Sequence, residues 1–183
     1  MMNSLDGVKI AILLADGFEQ VEMVKPREAL QKQGAQTYLI SNKTTVQGWN
    51  HADKADSFHV DVLLENAIPD DYDALILPGG VMNPDTLRTL PEAVEFTQKM
   101  DEQKKIIAAI CHGPWLLINA QLVKEKHLTS WPSVKTDLMN AGAVWVDKPV
   151  VQDGNLITSR KPDDIPEFNK VIVEQLKQYK QRS

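Results

Sequence analysis

The fold is indicated most clearly by residues 106–114, IIAAICHGP, in which five apolar residues run directly into Cys111, His112, Gly113 and Pro114. A continuous apolar run of this length is typical of a strand buried on both faces of a parallel sheet. Because proline is favoured at the first position of a helix, the pattern predicts a strand that turns through a sharp, exposed elbow at Cys111 into a helix. Such a helix start favours a thiolate over a thiol.

The same alternation of short apolar runs and longer amphipathic runs extends outward from this stretch. Further strands are predicted at 8–15, 37–40 and 73–77, with short ones around Val144 and at 156–158. Helices are predicted at 20–33, 91–102, 115–123, 134–140 and 165–179. The polar stretch 43–58 is expected to form a hairpin or a surface excursion. This order predicts an α/β fold, a doubly wound and mostly parallel sheet with helices on both faces, in a single domain over residues 1–183.

Composition excludes several classes of function. With a formal net charge of −5, the chain is not expected to bind nucleic acid through bulk positive charge. No apolar stretch approaches the ~20 residues that span a bilayer, and the first residues lack the layout of a secretion signal, so no membrane association is expected. One cysteine among 183 residues excludes an intramolecular disulfide. The expected location is therefore the reducing cytoplasm.

Three loops with unusual residues follow three of the predicted strands. They are residues 16–22, DGFEQVE, residues 78–85, PGGVMNPD, and the elbow at Cys111. In open α/β sheets the loops at the carboxyl ends of the strands converge, and ligands bind there. The three loops are therefore expected to build one site.

Cys111 is the candidate nucleophile of this site, and His112 is its candidate general base and acid. The alternative for Cys111 is a small buried hydrophobic residue, but a core cysteine has no need of the His-Gly-Pro that follows it. The alternative for His112 is a surface or capping histidine. His51, His59 and His127 lie in polar segments and are expected at the surface.

Acidic residues in the other two loops have both structural and chemical interpretations. Glu19 and Glu22 could complement the dipole of the helix that they begin, or one of them could contact the thiol. A carboxyl buried beside the sulfur would have a raised pKa and could act as a proton donor. Asp85 could equally be a helix-start acid after Pro84.

Glycines in these loops are candidates for binding the substrate oxygen. Gly79, Gly80 and Gly113 would let backbone N–H groups approach a carbonyl closely, as an oxyanion hole requires, although a glycine pair can also be a simple turn. No spacing of histidine, cysteine and acidic residues indicates a metal site. No Gly-x-Gly-x-x-Gly or phosphate-loop pattern is present, so no cofactor is expected.

Several motifs together resemble those of one known family. Residues 18–22, FEQVE, 77–80, LPGG, 109–114, AICHGP, and 158–164, TSRKPDD, are similar in order and spacing to the PfpI family. This is the intracellular cysteine peptidase-like branch of the superfamily that includes the parkinsonism-associated protein deglycase. The resemblance extends from Val8 to about Leu176.

The resemblance implies a flavodoxin-like three-layer sandwich with Cys111 as the nucleophile. The glutamate that contacts sulfur in the family aligns best with Glu22, and Glu19 is the neighbouring candidate. The acid that orients His112 in peptidase-like members comes from an adjacent subunit and matches Asp85, which implies a homodimer or a higher homo-oligomer. Trp131 stands where many members have tyrosine and would keep an aromatic wall.

The family implies more than one activity. Members are described as cysteine peptidases, as cofactor-free glyoxalases and as deglycases of early glycation adducts. An activated thiolate adds readily to an α-oxoaldehyde, so we expect stress-protective chemistry on methylglyoxal or its protein adducts. The alternatives are an intracellular cysteine peptidase and a non-enzymatic redox sensor or holdase that uses the same oxidisable cysteine. A glutamine amidotransferase is disfavoured because the chain lacks the late His-x-Glu pair of that class.

Overall fold

The computed structural model describes residues 4–183. Its strands are β1 (Lys9–Leu13), β2 (Phe18–Glu19), β3 (Gln36–Ser41), β4 (Thr45–Asn50), β5 (Asp53–His59), β6 (Val62–Leu63), β7 (Ala74–Leu77), β8 (Ile106–Ile110), β9 (His127–Leu128), β10 (Val144–Trp145), β11 (Val150–Asp153) and β12 (Leu156–Ser159). Its helices are α1 (Gln20–Lys32), α2 (Met82–Leu87), α3 (Pro91–Glu102), α4 (Pro114–Asn119), α5 (Lys135–Asn140) and α6 (Ile165–Arg182). Short 3₁₀ turns lie at Leu64–Asn66, Pro69–Asp71, Pro132–Val134 and Pro162–Asp164.

A seven-stranded sheet forms the centre of the molecule, in the order β11-β12-β8-β7-β1-β3-β6. Neighbouring strands are parallel except for β11 and β12, which are antiparallel. Strands β7 and β8 lie in register, with Leu77 opposite Ala109, so they end at the same edge of the sheet. The loops that follow β1, β7 and β8 therefore meet at this edge, as predicted.

Alternating side chains on the central strands build an apolar core on each face of the sheet. On β1, Ile10 and Ile12 face the core covered by α1 and α6, whereas Ala11 and Leu13 face the core covered by α3, α4 and α5. All four side chains are fully buried. The expected fold class, a mostly parallel sheet with helices on both faces, is confirmed.

The hairpin predicted for residues 43–58 is formed by β4 and β5 and ends at His59. Strand β2 adds to it in parallel, with Glu19 opposite Trp49, and completes a separate three-stranded sheet. Phe18 packs against Phe58 with ring centroids 5.8 Å apart, which fixes the hairpin to the rest of the fold. The hairpin thus stands beside the loop that follows β1.

Some elements differ from the sequence prediction. The helix predicted at 115–123 ends at Asn119, because Gln121 has a left-handed φ of 60° and the Leu122 N–H donates back to the Leu117 carbonyl. Strands β2, β6, β9 and β11 and helix α2 were not predicted, since elements of two to six residues show too little periodicity. None of the helices within residues 4–183 is long and apolar enough to cross a membrane.

Candidate active site

Cys111 lies on the predicted elbow between β8 and α4. Its φ of +63° is a left-handed backbone conformation that non-glycine residues rarely adopt. The Gly113 N–H donates to the Ile110 carbonyl at 2.9 Å, and the Trp131 N–H donates to the Cys111 carbonyl at 2.9 Å, so both sides of the elbow are held. The side chain is 7% exposed, so it lies in a recess and not at a prominent surface position.

Two positions around the elbow require glycine because backbone atoms of neighbouring segments lie very close to them. A Cβ on Gly113 would lie 2.6 Å from the Leu77 carbonyl oxygen and 2.9 Å from that of Ile110. Gly80 has a φ of +76°, and its Cβ would lie 2.3 Å from the Gly17 carbonyl oxygen. No side chain fits at either position without moving backbone, so only glycine lets the start of α4 lie this close to β7 and the loop after β7 lie this close to the first loop.

The structure corrects two of the expected oxyanion donors. The Gly113 N–H is used by the Ile110 carbonyl, and the Gly79 N–H donates to Glu22 Oε1 at 3.0 Å. The amides that act on the sulfur belong instead to Gly80 and His112, and both lower the pKa of the Cys111 thiol. The sequence did not predict a role for the His112 amide, because a backbone N–H is common to almost every residue and no side-chain motif marks it.

Glu22 is the glutamate that lies beside the thiol. It is fully buried in the first turn of α1, and its Oε2 has no hydrogen-bond partner of good geometry among the described residues. Burial, reinforced by the charge of Glu19, raises the pKa of Glu22 from 4.5 to about 8. The carboxyl is therefore protonated at neutral pH and has a proton to donate, as expected for a carboxyl beside the sulfur.

Glu19 has a different position. Its carboxylate oxygens accept the backbone N–H of His51 at 3.1 and 3.2 Å, at the turn between β4 and β5. His51 itself has a left-handed φ of 56°, which this contact helps to hold. Glu19 thus anchors the hairpin, and it acts on the thiol only through its effect on Glu22.

The resting state of Cys111 differs from the sequence expectation. Burial and the neighbouring Glu22 raise the pKa of the thiol above its ordinary value, and this effect exceeds the lowering by the His112 and Gly80 amides. The sequence predicted a helix start that favours the thiolate, but α4 has only six residues and the sulfur is largely removed from water. The resting group is a thiol that needs a base to remove its proton.

His112 is positioned to be that base. Its Nδ1 lies 3.2 Å from Cys111 Sγ, and its Nε2 lies 3.4 Å from Ser133 Oγ. Its ring stacks against Trp131 with centroids 6.0 Å apart and meets Trp115 edge-on at 5.0 Å. Burial lowers the pKa of His112, so the neutral imidazole is favoured. A tautomer that donates from Nε2 to Ser133 leaves Nδ1 free to accept the thiol proton.

Asp85 does not reach His112 within this chain. It is exposed and pairs with Arg88 at 2.7 Å, and the Arg88 guanidinium lies 4.5 Å from the centroid of the Trp115 ring. Ser133 is the side-chain oxygen that meets His112 instead, and the sequence analysis missed it. Ser133 lies 21 residues after His112 in a 3₁₀ turn, and no motif marks it.

A cavity of about 500 Å³ opens above the thiol. It is lined by Gly17, Glu19, Glu22, Trp49, His51, Gly80, Val81, Met82, Cys111, His112, Trp131 and Pro162. Trp131 forms part of the aromatic wall and is 38% exposed. Of the three histidines expected at the surface, all are exposed, and His51 also lines the cavity. Within residues 4–183 no three histidine, cysteine or acidic side chains are grouped to hold a metal ion.

Comparison with known proteins gives a consistent result. The DJ-1/PfpI family profile matches residues 8–175. The chain is 38% identical to a Pyrococcus furiosus protein named deglycase PfpI, over 93% of this chain and 100% of that one. It is 43% identical to the uncharacterized protein SAV1875 of Staphylococcus aureus, over 92% and 98% of the two chains.

A solved structure shares the fold as well. Drosophila melanogaster DJ-1beta superposes with a TM-score of 0.83 and 29% identity, covering 92% of this chain and 90% of that one. The family profile extends over most of the chain, and the relatives match along nearly their whole length. This chain belongs to the DJ-1/PfpI family.

Proposed function

We propose that this protein is a cofactor-independent enzyme that removes reactive carbonyls, acting through Cys111 on α-oxoaldehydes such as methylglyoxal and on their adducts with protein amino groups. One observation carries the proposal: a thiol, a protonated carboxyl and a neutral imidazole converge in one cavity. The name deglycase, given to the relative from Pyrococcus furiosus, also supports it.

In the first step the Cys111 sulfur attacks the aldehyde carbon while its proton passes to His112 Nδ1, 3.2 Å away. An S–C bond forms, and the carbonyl π electrons move to the oxygen. The N–H of Gly80 stabilises this oxygen, which then takes the proton from His112 and completes a hemithioacetal. This sequence avoids a free thiolate, which suits a thiol whose pKa is raised by burial.

In the second step the hemithioacetal rearranges to a thioester. His112 removes the proton from the carbon bonded to sulfur, and the electron pair moves toward the adjacent carbonyl, whose oxygen takes the proton of the first hydroxyl group. His112 then returns its proton to the second carbon, and the first carbon and its oxygen become the thioester carbonyl. The protonated Glu22 carboxyl stabilises this intermediate by donating a hydrogen bond to the Cys111 sulfur. Water then cleaves the S–C bond, releasing lactate and restoring the thiol, so that methylglyoxal and water give lactate with no external oxidant or reductant.

An adduct on an amino group would join the same series of steps before the hemithioacetal forms. In such a carbinolamine the amine is bonded to the former aldehyde carbon. The Cys111 sulfur forms its bond to this carbon as the C–N bond breaks, and the amine leaves with the proton that His112 took from the thiol. The hemithioacetal that results is the same intermediate, so one site would serve both substrates.

The test is to measure two products with wild-type protein and with the Cys111→Ser and Cys111→Ala variants. Lactate is measured from methylglyoxal, and free amine from a preformed methylglyoxal adduct of N-acetyl-lysine, in a buffer without amines or thiols. We expect both rates to fall on the order of 10³-fold in the variants, with an unchanged unfolding temperature. Equal rates in all three proteins, or no product in any, would refute the proposal.

The same assays separate the two alternatives. A cysteine peptidase would release new amino termini from unmodified peptides in the wild-type protein. A redox sensor or holdase would oxidise Cys111 at low peroxide while producing negligible lactate, which mass measurement of the intact protein detects. Either result without carbonyl turnover would replace the proposed activity.

We further propose that the protein assembles as a homodimer or a higher homo-oligomer, with Asp85 near a contact between copies. The exposed side chains of Val81 and Met82, which come just before Asp85 in the chain, and of Trp131 in the cavity lining support this. An acid from a neighbouring copy would then supplement Ser133 at His112. Light scattering combined with size-exclusion chromatography measures the mass directly, and a monomer at micromolar concentration would contradict this proposal.

A further inference from the structure

A second recess of about 470 Å³ adjoins the cavity above the thiol. The two share four lining residues, Glu19, Trp49, His51 and Pro162. The remaining lining of the second recess comes from the start of α1 and from the hairpin, and consists of Gln20, Val21, Val24, Lys25, Asn50 and Ala55. The proposed chemistry at Cys111 uses none of these six residues, so this recess is available for another part of a ligand.

The walls of the second recess are held before any ligand arrives. The Gln20 side chain exchanges two hydrogen bonds of 2.8 Å with Asp56, which ties α1 to β5. On the opposite side, Asp164 holds Arg160 through bonds of 2.9 and 3.0 Å from the guanidinium, and Pro162 lies between these two residues. A preformed recess binds a ligand with little ordering cost.

The chemistry of the recess favours an uncharged, partly apolar occupant. Val21, Val24 and Ala55 present apolar surface, and Trp49 and Pro162 continue it into the thiol cavity. Lys25, the cation in the lining, pairs with Glu28 at 3.3 Å. Besides Lys25, the polar groups of the lining are the Glu19 carboxylate, the exposed His51 ring and the side-chain amides of Gln20 and Asn50. Such a surface suits an apolar side chain with a peptide backbone, and it repels a phosphate.

We propose that the second recess binds the polypeptide part of a substrate whose modified side chain reacts at Cys111. This inference rests on the proposed function and makes it more specific: the substrate is a carbonyl adduct on a peptide, with an uncharged residue beside the modified one. A three-carbon aldehyde fills only a small part of the thiol cavity and leaves the second recess empty. The shared wall formed by Trp49 and Pro162 lets one molecule occupy both.

The test measures alkylation of Cys111, which is the only cysteine in the chain, so that turnover is not required. One probe is iodoacetamide, and the other is a short neutral peptide in which an iodoacetyl-lysine stands next to leucine. In both reactions the sulfur forms a bond to the probe's methylene carbon and iodide leaves. The ratio of the peptide rate to the iodoacetamide rate, followed by intact mass, reports on the second recess.

We expect the wild-type ratio to be roughly five- to tenfold, because binding in the recess raises the local concentration of the probe. Ala55→Trp and, independently, Asn50→Trp fill the recess and should bring the ratio close to one. Lys32→Trp adds the same ring at an exposed position at the end of α1, outside both cavities, and should keep the wild-type ratio. Replacing leucine by aspartate in the probe should lower the ratio through repulsion by Glu19.

A wild-type ratio of one would overturn the inference, as would a ratio that Ala55→Trp and Asn50→Trp leave unchanged. An iodoacetamido nucleotide that reacts faster than the peptide would replace the peptide by a nucleotide as the occupant. If the ratio behaves as expected but no lactate or amine is produced, the recess stands and the proposed carbonyl chemistry fails. The two proposals therefore fail in distinguishable ways.

Discussion

The Glu22 carboxyl and the Cys111 side chain meet across Gly79. A point one Cβ bond from the Gly79 Cα lies 2.6 Å from Glu22 Oε1 and 2.7 Å from Cys111 Cβ. The Gly79 N–H also donates to Glu22 Oε1 at 3.0 Å, so this glycine both separates the two groups and orients the carboxyl. The acid and the thiol are neighbours because the residue between them has no side chain.

Gly79→Ala should therefore disrupt the site. The added methyl group would collide with Glu22 and Cys111, and we expect it to lower the free energy of unfolding by about 1–3 kcal/mol and to abolish Cys111-dependent turnover. Gly154→Ala is the matched control, since its Cβ would meet nothing within 4 Å. Its φ of +60° should lower stability by about 1 kcal/mol while activity remains. Denaturant unfolding and lactate release measure both effects, and an active Gly79→Ala protein would contradict the assigned geometry.

Glu22 should make stability depend on pH in an unusual direction for a carboxyl. Below pH 4.5 the group is protonated in both the folded and the unfolded protein and has no effect. Between 4.5 and about 8 the unfolded chain loses the proton while the folded protein keeps it. Stability should fall by about 1.4 kcal/mol for each pH unit in this window and level off above it. Glu22→Gln removes this decline, and identical pH dependence in the two proteins would contradict the raised pKa.

Glu22 should also control the reactivity of the thiol. Glu22 is ionised above about pH 8, and its charge then raises the pKa of Cys111. Glu22→Gln should therefore lower the apparent pKa seen in the pH dependence of iodoacetamide alkylation. Glu19→Gln, which removes a charge that acts on Glu22 but does not contact the thiol, should shift it less. Equal shifts in the two variants would mean that Glu22 has no special contact with the sulfur.

Substitutions at Ser133 and Asp85 distinguish two ways of orienting His112, by a hydroxyl of the same chain or by an acid of a neighbouring copy. If the tautomer is held within one chain, Ser133→Ala should reduce kcat about 3- to 10-fold, the loss of one neutral hydrogen bond of about 1 kcal/mol, while Asp85→Asn changes little. If an acid from a neighbouring copy is needed, Asp85→Asn should reduce kcat more strongly. The pH profile of kcat separates orientation from a folding defect, because only a change at His112 moves its acidic limb.

Local signals in the sequence were enough to predict the fold class and the edge of the sheet where the site lies. Residues 106–110 followed by proline at 114 could hardly form anything except a buried strand turning into a helix, because both signals are local. The order of the remaining runs led to the same α/β fold, and Gly79, Gly80 and Cys111 were correctly expected in loops at one edge of the sheet.

Only the tertiary structure decided which groups act together. Glu19 and Glu22 are three residues apart and equivalent by local pattern, but packing buries one beside the sulfur and leaves the other at the hairpin. Burial then reversed the expected state of the thiol, because the loss of solvation outweighs the amides that favour the anion. The contact of Ser133 with His112 and the recess beside the hairpin likewise depend on residues far apart in the sequence. Solvation and proximity belong to the assembled fold, and a linear pattern does not encode them.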